Sequence, residues 1–437
     1  MTRQWFRLLA PLVAALAIPQ ASAQLTVQIL RGMAESVPIA VVPFGWDAPG
    51  AAPWDVAATV QADLERSGRF RALPRAQMLE LPHEAAGDAG VDPADWRMLK
   101  VDYVAVGRLS PLPDGRIELR YELVQVATGQ RLVGATLPAD RRALRLASHR
   151  VADAIYERIL GVKGAFSTRI AYVAVDGPAT ARSYRLVVAD ADGANERIVF
   201  ESPEPLMSPT WSPDGQSLAY VSFHSGLPAV YAQTLSTGAQ VRLSAKAGIN
   251  SAPSYSPDGT RLAIALSSRE GNVDIYVLTL ATQALRRLTD DPSIDTEPAW
   301  APDGRSVYFT SDRAGAPQVY RLGLAAGDRP QRVTFDGSYN ARPRVSPDGR
   351  ELAVVTLDRG SYRIGAVDVA RGGLRVLSGG RLDESPSYAP NGADIIYATR
   401  EGGRGVLAVV SSDGRVQQRL AASAGEVREP AWSPFLN

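Results

Sequence analysis

With 437 residues, 45% of them hydrophobic and 21% charged, the chain has ordinary globular composition and room for two or three domains, which excludes a largely disordered polypeptide. Its 47 basic and 46 acidic side chains leave no net field to draw it to nucleic acid or to an anionic membrane, so partners must be met through shape and local charge. The absence of cysteine excludes disulfides and thiolate metal sites.

Arg3 and Arg7 open the chain, Leu8 to Ile18 form an apolar run, and Pro19-Gln-Ala-Ser-Ala23 ends in a small-x-small pattern. That order predicts a signal peptide over residues 1–23, cut between Ala23 and Gln24. The apolar run falls short of the roughly 20 residues that span a bilayer, and no other stretch is long enough, so direct membrane insertion is not expected. No cysteine follows the run, so a lipid-anchored form is not expected either. Loss of Arg3 and Arg7 takes the formal charge from +1 to about −1. An export signal without disulfides suits a bacterial periplasm, where stability must come from core burial.

Residues 24–163 do not repeat and read as a mixed α/β domain. Pro38-Ile-Ala-Val-Val-Pro43 has the pattern of a buried strand. Trp54 to Arg66 has that of a helix stopped at Gly68. Strands are expected over Val101 to Val106, Arg116 to Val126 and Gln130 to Leu137. Arg141 to Leu160 places Leu144, Ala147, Val151, Ile155 and Ile159 on one helical face, with Gly161 as C-cap. Gly161-Val-Lys-Gly164 is then a short hinge.

From residue 164 to 437 the chain repeats. Pro209-Thr-Trp211-Ser-Pro213-Asp214-Gly215 returns at Pro253, Pro298, Pro343 and Pro386, and a truncated copy, Pro430-Ala-Trp-Ser-Pro434, ends it. The second prolines lie 43 to 45 residues apart, the length of one four-stranded propeller blade. Ser-Pro-Asp-Gly is hairpin chemistry, and an apolar strand such as Leu218-Ala-Tyr-Val221 follows each copy. Arg169-Ile-Ala-Tyr172 reads as a second strand lacking a first, while Trp432-Ser-Pro434 ends a first strand lacking a second. Joined, they complete an all-β six-bladed propeller closed by the C-terminal strand, with no exposed sheet edge around the ring.

Chemistry is sparse. His83 lies in a Pro/Gly-rich loop, His149 on the long helix and His224 just past a blade strand, and nothing in the pattern brings them together, so no multi-histidine metal site is expected. Neither a Gly-x-Ser-x-Gly elbow nor a phosphate-binding glycine loop is present. No catalytic residue, metal or cofactor is assigned. The repeated Asp214, Asp258, Asp303, Asp348 and Asn391 are better explained as turn residues than as a carboxylate ring. Trp211, Tyr255, Trp300, Tyr388 and Trp432 are better explained as packing between blades than as a stacking platform.

The turns entering the innermost strands differ from one another although the proline after them does not: Leu206-Met-Ser208, Asn250-Ser-Ala252, Asp295-Thr-Glu297, Asn340-Ala-Arg342, Asp383-Glu-Ser385 and Val427-Arg-Glu429. A constant frame with a varied rim is what a specific protein-binding face requires. The expectation is a non-enzymatic, monomeric interaction scaffold. The alternatives are a propeller enzyme, either a lyase or a peptidase-like hydrolase, and a glycan-binding module.

The signal peptide, Pro38 to Phe44, Gly50-Ala-Ala-Pro53, Gly164-Ala-Phe-Ser-Thr-Arg-Ile-Ala-Tyr172, Pro205-Leu-Met-Ser-Pro-Thr-Trp211 and the closing Pro430 to Pro434 together resemble the TolB family of periplasmic propellers, over essentially the whole chain. The resemblance implies membership of the Tol-Pal envelope system, which keeps the outer membrane attached and helps it constrict at cell division. It further implies that the propeller mouth binds the lipoprotein Pal and that the mature N-terminus binds the C-terminal domain of TolA. By position, Pal would meet Met207, Asn250, Ala252, Thr296, Glu297, Arg342, Glu384 and Arg428. Gln24, Leu25, Thr26, Val27, Gln28 and Ile29 would form the TolA-binding strand, whose alternation suits addition to a sheet edge. Some members carry a histidine in the second rim turn, where this chain has Ile249.

Overall fold

Six antiparallel sheets surround a central channel in a computed structural model that describes residues 27–28, 36–86, 90–178, 180–267, 271–420 and 425–436. The predicted signal peptide and residues 24–26 and 29 of the predicted TolA-binding strand lie outside the described residues. In the first blade the innermost strand, Glu426–Trp432, comes from the C-terminus, and Arg169–Asp176, Ser183–Asp190 and Arg197–Ser202 follow outward. The closing pair is antiparallel, with Glu426 opposite Val175 and Trp432 opposite Ile170. The next four blades begin at Leu206–Trp211, Asn250–Tyr255, Asp295–Trp300 and Asn340–Val345. The sixth holds Glu384–Tyr388, Asp394–Glu401, Arg404–Ser411 and Gln417–Leu420.

The repeat dictates the blade through two devices. In the turn, Ser212 Oγ donates to Asp214 Oδ1 at 2.5 Å, the same oxygen accepts the Gln216 N–H at 2.9 Å, and Gly215 takes a positive φ of 69°. Asp258 repeats this, and its hydrogen bonds, that from Ser256 foremost, hold its carboxyl down to about 2. Between blades, the indole of Trp211 donates to the Ala431 carbonyl of the first blade, and that of Trp300 to the Ser254 carbonyl of the blade before it, each at 3.0 Å. Turn aspartates and inter-blade aromatics thus occupy the places the sequence gives them.

The N-terminal domain is built on a mixed sheet. Val37–Val41 lies between parallel neighbours Phe70–Ala72 and Tyr103–Pro111, and Ile117–Gln125 and Gln130–Ala139 extend it antiparallel. Helices α1 (Val56–Arg66) and α3 (Leu144–Leu160) cover one face, where Val60, Leu64, Val151 and Ile155 pack with Ile39 and Leu119. A short α2 (Pro93–Met98) closes the other face with Trp96. The first helix starts two residues later than expected because Asp55 acts as N-cap, accepting the Ala58 N–H at 2.9 Å. The third begins at Leu144, since Arg141–Ala143 wind as a 3₁₀ turn. Helix α2 and strand Phe70–Ala72 are too short to carry a periodic signal, and the expected strand at Val101 instead starts at Tyr103.

The hinge is pinned rather than loose. Asp153 on α3 accepts the N–H groups of Phe166 at 2.7 Å and Ser167 at 3.1 Å, and a Cβ on Gly164 would collide with it. The domain rests on the face of the propeller that bears the Ser-Pro-Asp-Gly turns. There Asn391 Nδ2 donates to the Lys163 carbonyl at 2.9 Å, Arg69 pairs with Asp413 at 3.0 Å, and Gln418 donates to the Arg66 carbonyl. Val27–Gln28 lie antiparallel to Gln417–Gln418, adding a fifth strand to the outer edge of the sixth blade.

Two predictions follow from this arrangement. A chain ending after Leu420 loses its closing strand and bares the edge at Arg169–Asp176, so it should aggregate or lose β circular dichroism, checked by gel filtration and far-ultraviolet spectra. Asp394, half-buried at the domain contact, is pushed up to about 7 by burial, with Arg66 and Arg69 opposing and Asp413 adding to the rise. A raised carboxyl makes the folded state hold a proton that the unfolded chain has released, so this contribution to stability falls as pH rises from about 4 to about 7. Asp394→Asn should therefore gain about 1–3 kcal/mol at pH 8 and little at pH 4, measured by urea unfolding.

Candidate functional site

Sheet order decides which loops share a face. Successive strands in each blade run antiparallel, so the turns entering the innermost strands and those between second and third strands emerge together, opposite the Ser-Pro-Asp-Gly turns. The N-terminal domain sits against part of the latter face, at the first and sixth blades. The former is left open.

Each innermost strand is bulged as it leaves that open face. Met207 opposes Val221 and Thr210 opposes Ala219, so one residue is extra, and the same slip occurs in the other five blades. One residue in every bulge is left-handed without being glycine: Ser208, Ala252, Glu297, Arg342, Ser385 and Glu429, with φ between 49° and 56°. Each immediately precedes the repeated proline. This backbone costs about 1–2 kcal/mol per residue for a side chain with a Cβ. What the strain achieves is visible in the channel, because all six residues line a single cavity of about 180 Å³ at its mouth.

Their side chains form two hydrogen-bonded groups on opposite sides of the mouth. Glu297 Oε1 accepts from Arg342 Nε at 2.6 Å, and its Oε2 accepts the Arg342 backbone N–H at 2.9 Å and the Thr310 hydroxyl at 3.0 Å. Arg342 Nη1 also donates to Ser385 Oγ, which carries this group to the next blade. Across the channel Glu429 Oε2 accepts the Ser208 N–H at 2.5 Å. Burial works against the charge of Arg342, but Glu297 and then Glu429 outweigh it and hold the guanidinium firmly protonated. Arg344 lies deeper, where burial pulls its proton affinity down against the attraction of Glu297, and it donates to the Pro343 carbonyl at 3.0 Å. The carboxylates and guanidiniums largely neutralise each other, so the mouth offers fixed donors and acceptors to a guest's polar groups.

Apolar side chains also stand exposed on loops of this face. Met207, Leu227, Ile249, Ile294 and Phe335 belong to loops of the open face and remain exposed, Leu227 and Phe335 each at 64%. Exposed apolar side chains on the same face as a hydrogen-bonding centre are features of a protein interface.

Of the rim residues singled out from sequence, Met207, Ala252, Thr296, Glu297 and Arg342 line the cavity. Glu384 lies beside Arg342 and adds to its charge stabilisation, and Arg428 pairs with Glu426 at 3.0 Å. Asn250 is different: its side chain is fully buried, accepting from Ser244 Oγ at 2.8 Å and from the Lys246 N–H at 2.9 Å, so it shapes the loop and presents no surface. Ser208, Ser385 and Glu429 lie in the rim turns read from sequence but are not among the residues assigned to Pal, although the position before each repeated proline marks all three. The histidines occupy separate places: His83 beside Gly45, His149 against Asp63, and His224 among Phe200 and Tyr231.

Comparison with known proteins bears on both domains. Residues 156–436 match the family model described as the TolB beta propeller domain, and residues 25–132 match that of the TolB amino-terminal domain. A protein of Xanthomonas euvesicatoria pv. vesicatoria (strain 85-10), described as Tol-Pal system protein TolB, is 50% identical over 435 residues, which cover 99% of this chain and 98% of the relative. One of Xanthomonas oryzae pv. oryzae (strain KACC10331 / KXO85) bears the same description and matches with the same identity and coverage. The crystal structure of TolB from Acinetobacter baumannii superposes with a TM-score of 0.85 at 40% identity, covering 94% of this chain and 100% of that one.

Ala252 tests the strain at the mouth most cleanly, since its side chain is a lone methyl. Ala252→Gly should stabilise the chain by about 1 kcal/mol in urea unfolding, whereas Ala252→Val, which places a branched side chain at φ 49°, should destabilise it by more.

Proposed function

The chain belongs to the TolB family, and from that premise we propose that it serves the Tol-Pal system as a non-enzymatic periplasmic scaffold with two protein-binding sites. The propeller mouth binds the lipoprotein Pal, and the mature N-terminus binds the C-terminal domain of TolA. Through them the protein helps hold the outer membrane in place and draw it inward at cell division. Residues 24–163 form the N-terminal domain and 164–437 the propeller, with cleavage between Ala23 and Gln24 upon export.

One observation carries the first site: six strained residues, one per blade, converge on one cavity in the face left open by the N-terminal domain. Their side chains are serine, alanine, glutamate, arginine, serine and glutamate, so an even ring yields an uneven, selective surface. Glu297 and Arg342, with Met207, Ala252 and Thr296, are the central contacts, and the exposed Ile249 and Ile294 on the entry turns add apolar area beside them. Glu384 and Arg428 extend the contact, while Asn250 acts through the loop that it braces. Ile249, in the second rim turn, offers exposed apolar area.

The second site draws support from Val27–Gln28, which pair with the outer strand of the sixth blade. A two-residue pairing at a sheet edge is weak enough to exchange for another edge, and strand addition to TolA uses the same backbone groups. Pal at the mouth then biases release of this strand by binding one arrangement better than the other.

Mixing purified proteins separates the two sites. Glu297→Lys should weaken the Pal complex by about 1–4 kcal/mol in titration calorimetry without unfolding the propeller. Deleting residues 24–29 should abolish TolA binding and leave Pal binding intact. Unchanged Pal affinity in the first variant would move that interface elsewhere, and simultaneous loss of both partners in the second would refute separate sites.

A further inference from the structure

We propose that His149, Asp190 and Asp192 bind one divalent transition-metal ion, zinc foremost, that bolts the N-terminal domain to the first propeller blade. One donor atom of each residue lies within 4.8 Å of the donor atoms of the other two. His149 comes from α3, whereas Asp190 ends the blade strand Ser183–Asp190 and Asp192 lies in the turn after it, so the cluster exists only where the two domains meet.

The imidazole points to a ligand. His149 is 1% exposed, its Nδ1 lies 2.5 Å from Asp63 Oδ2, and its Nε2 has no hydrogen-bond partner among the described residues. With a carboxylate as acceptor, Nδ1 carries the proton and Nε2 presents its lone pair. A carboxylate holding the far nitrogen of a histidine is the arrangement that orients metal-binding imidazoles. A buried lone pair without a donor calls for an explanation, and a cation supplies one. Nitrogen and oxygen ligands about 2.0–2.2 Å from a tetrahedral zinc lie about 3.4 Å apart, so donor atoms within 4.8 Å of one another need close by at most about 1.4 Å. One imidazole and two carboxylates, with no thiolate, favour zinc or a neighbouring metal over magnesium or calcium, which prefer all-oxygen sites.

Two arginines compete for the same carboxylates. Arg145 Nε pairs with Asp190 Oδ2 at 3.2 Å and its Nη2 with Asp192 Oδ2, and Arg66 Nη1 lies 3.6 Å from that last atom. All these contacts converge on Oδ2 atoms, and Asn195 donates to the same atom of Asp190 at 2.7 Å. Counting Asp63, three carboxylates face two guanidiniums, which leaves a net charge of −1 that attracts a cation; a divalent ion takes the cluster to +1, so its binding favours displacement of Arg145 from the carboxylates. The side chains of Asp190 and Asp192 are 23% and 16% exposed, so an ion can enter from solvent. This site does not depend on the partners assigned above.

The test uses the full mature chain stripped with EDTA. Titration with zinc chloride should show one ion per chain and raise the thermal transition, and cobalt(II) should give visible absorption of a protein-bound ion. His149→Ala should weaken zinc binding by at least about 100-fold, and Asp63→Asn, which frees the imidazole, by about 10–100-fold. Arg145→Ala removes a competitor and should leave binding equal or tighter. If His149→Ala fails to fold, Asp192→Asn, of the same shape, carries the same expectation. Absence of stoichiometric zinc binding, or binding in these ligand variants equal to that of the unaltered chain, would leave a plain ion-pair network and overturn the proposal.

Discussion

Antiparallel hydrogen bonding between Glu426–Trp432 and Arg169–Asp176 turns six sheets, each with edges to lose, into one ring. Without it the first blade would lack its innermost strand and the channel one wall. The Trp432 indole donates to Thr168 Oγ1 at 2.8 Å, tying the closing strand to the segment that leaves the hinge. Residues more than 250 positions apart in sequence must therefore meet before the mouth exists, a long-range pairing whose closure entropy the inter-blade core has to offset. A rigid ring in turn allows strain to be held at the mouth, because a backbone costing about 1–2 kcal/mol at each of six places persists only where its surroundings leave no alternative.

The two faces of that ring are used differently. Ser-Pro-Asp-Gly turns, their aspartates committed to local hydrogen bonds, form a face against which the N-terminal domain sits through Arg66, Arg69 and Lys163. The opposite face carries the variable entry turns, the left-handed residues and the exposed apolar side chains. Segregation of this kind lets one side bear the cost of assembly while the other stays available. The added pairing of Val27–Gln28 belongs to neither face but to the outer edge of the sixth blade, beside the strand that Gln418 ties to Arg66. A partner drawing that segment away would act next to the contact that joins the domains.

Sequence alone revealed the ring because its signal is arithmetic: a fixed period, turn chemistry at constant offset, and two ends that each carry what the other lacks. The mouth was legible in outline, since the repeated proline shows where the innermost strands begin. Its chemistry was not, because Ser208, Ser385 and Glu429 look like ordinary loop residues until the bulge places them beside Glu297 and Arg342. Asn250 misled for the opposite reason, as a polar residue in a turn can face inward when Ser244 and Lys246 supply its partners. His149 read as one more helical residue, and only folding brings Asp63, Asp190 and Asp192 around it. Short elements such as α2 offer too few residues for a periodicity to emerge.

Amide hydrogen exchange across Glu426–Trp432 tests ring closure most directly. If this strand closes the first blade, its hydrogen-bonded amides should be protected to the same degree as those of the central strands Leu218 to Val221 and Ile395 to Tyr397. Exchange at the rate of an unstructured tail while those strands stay protected would mean an open array, and the mouth described above would not exist.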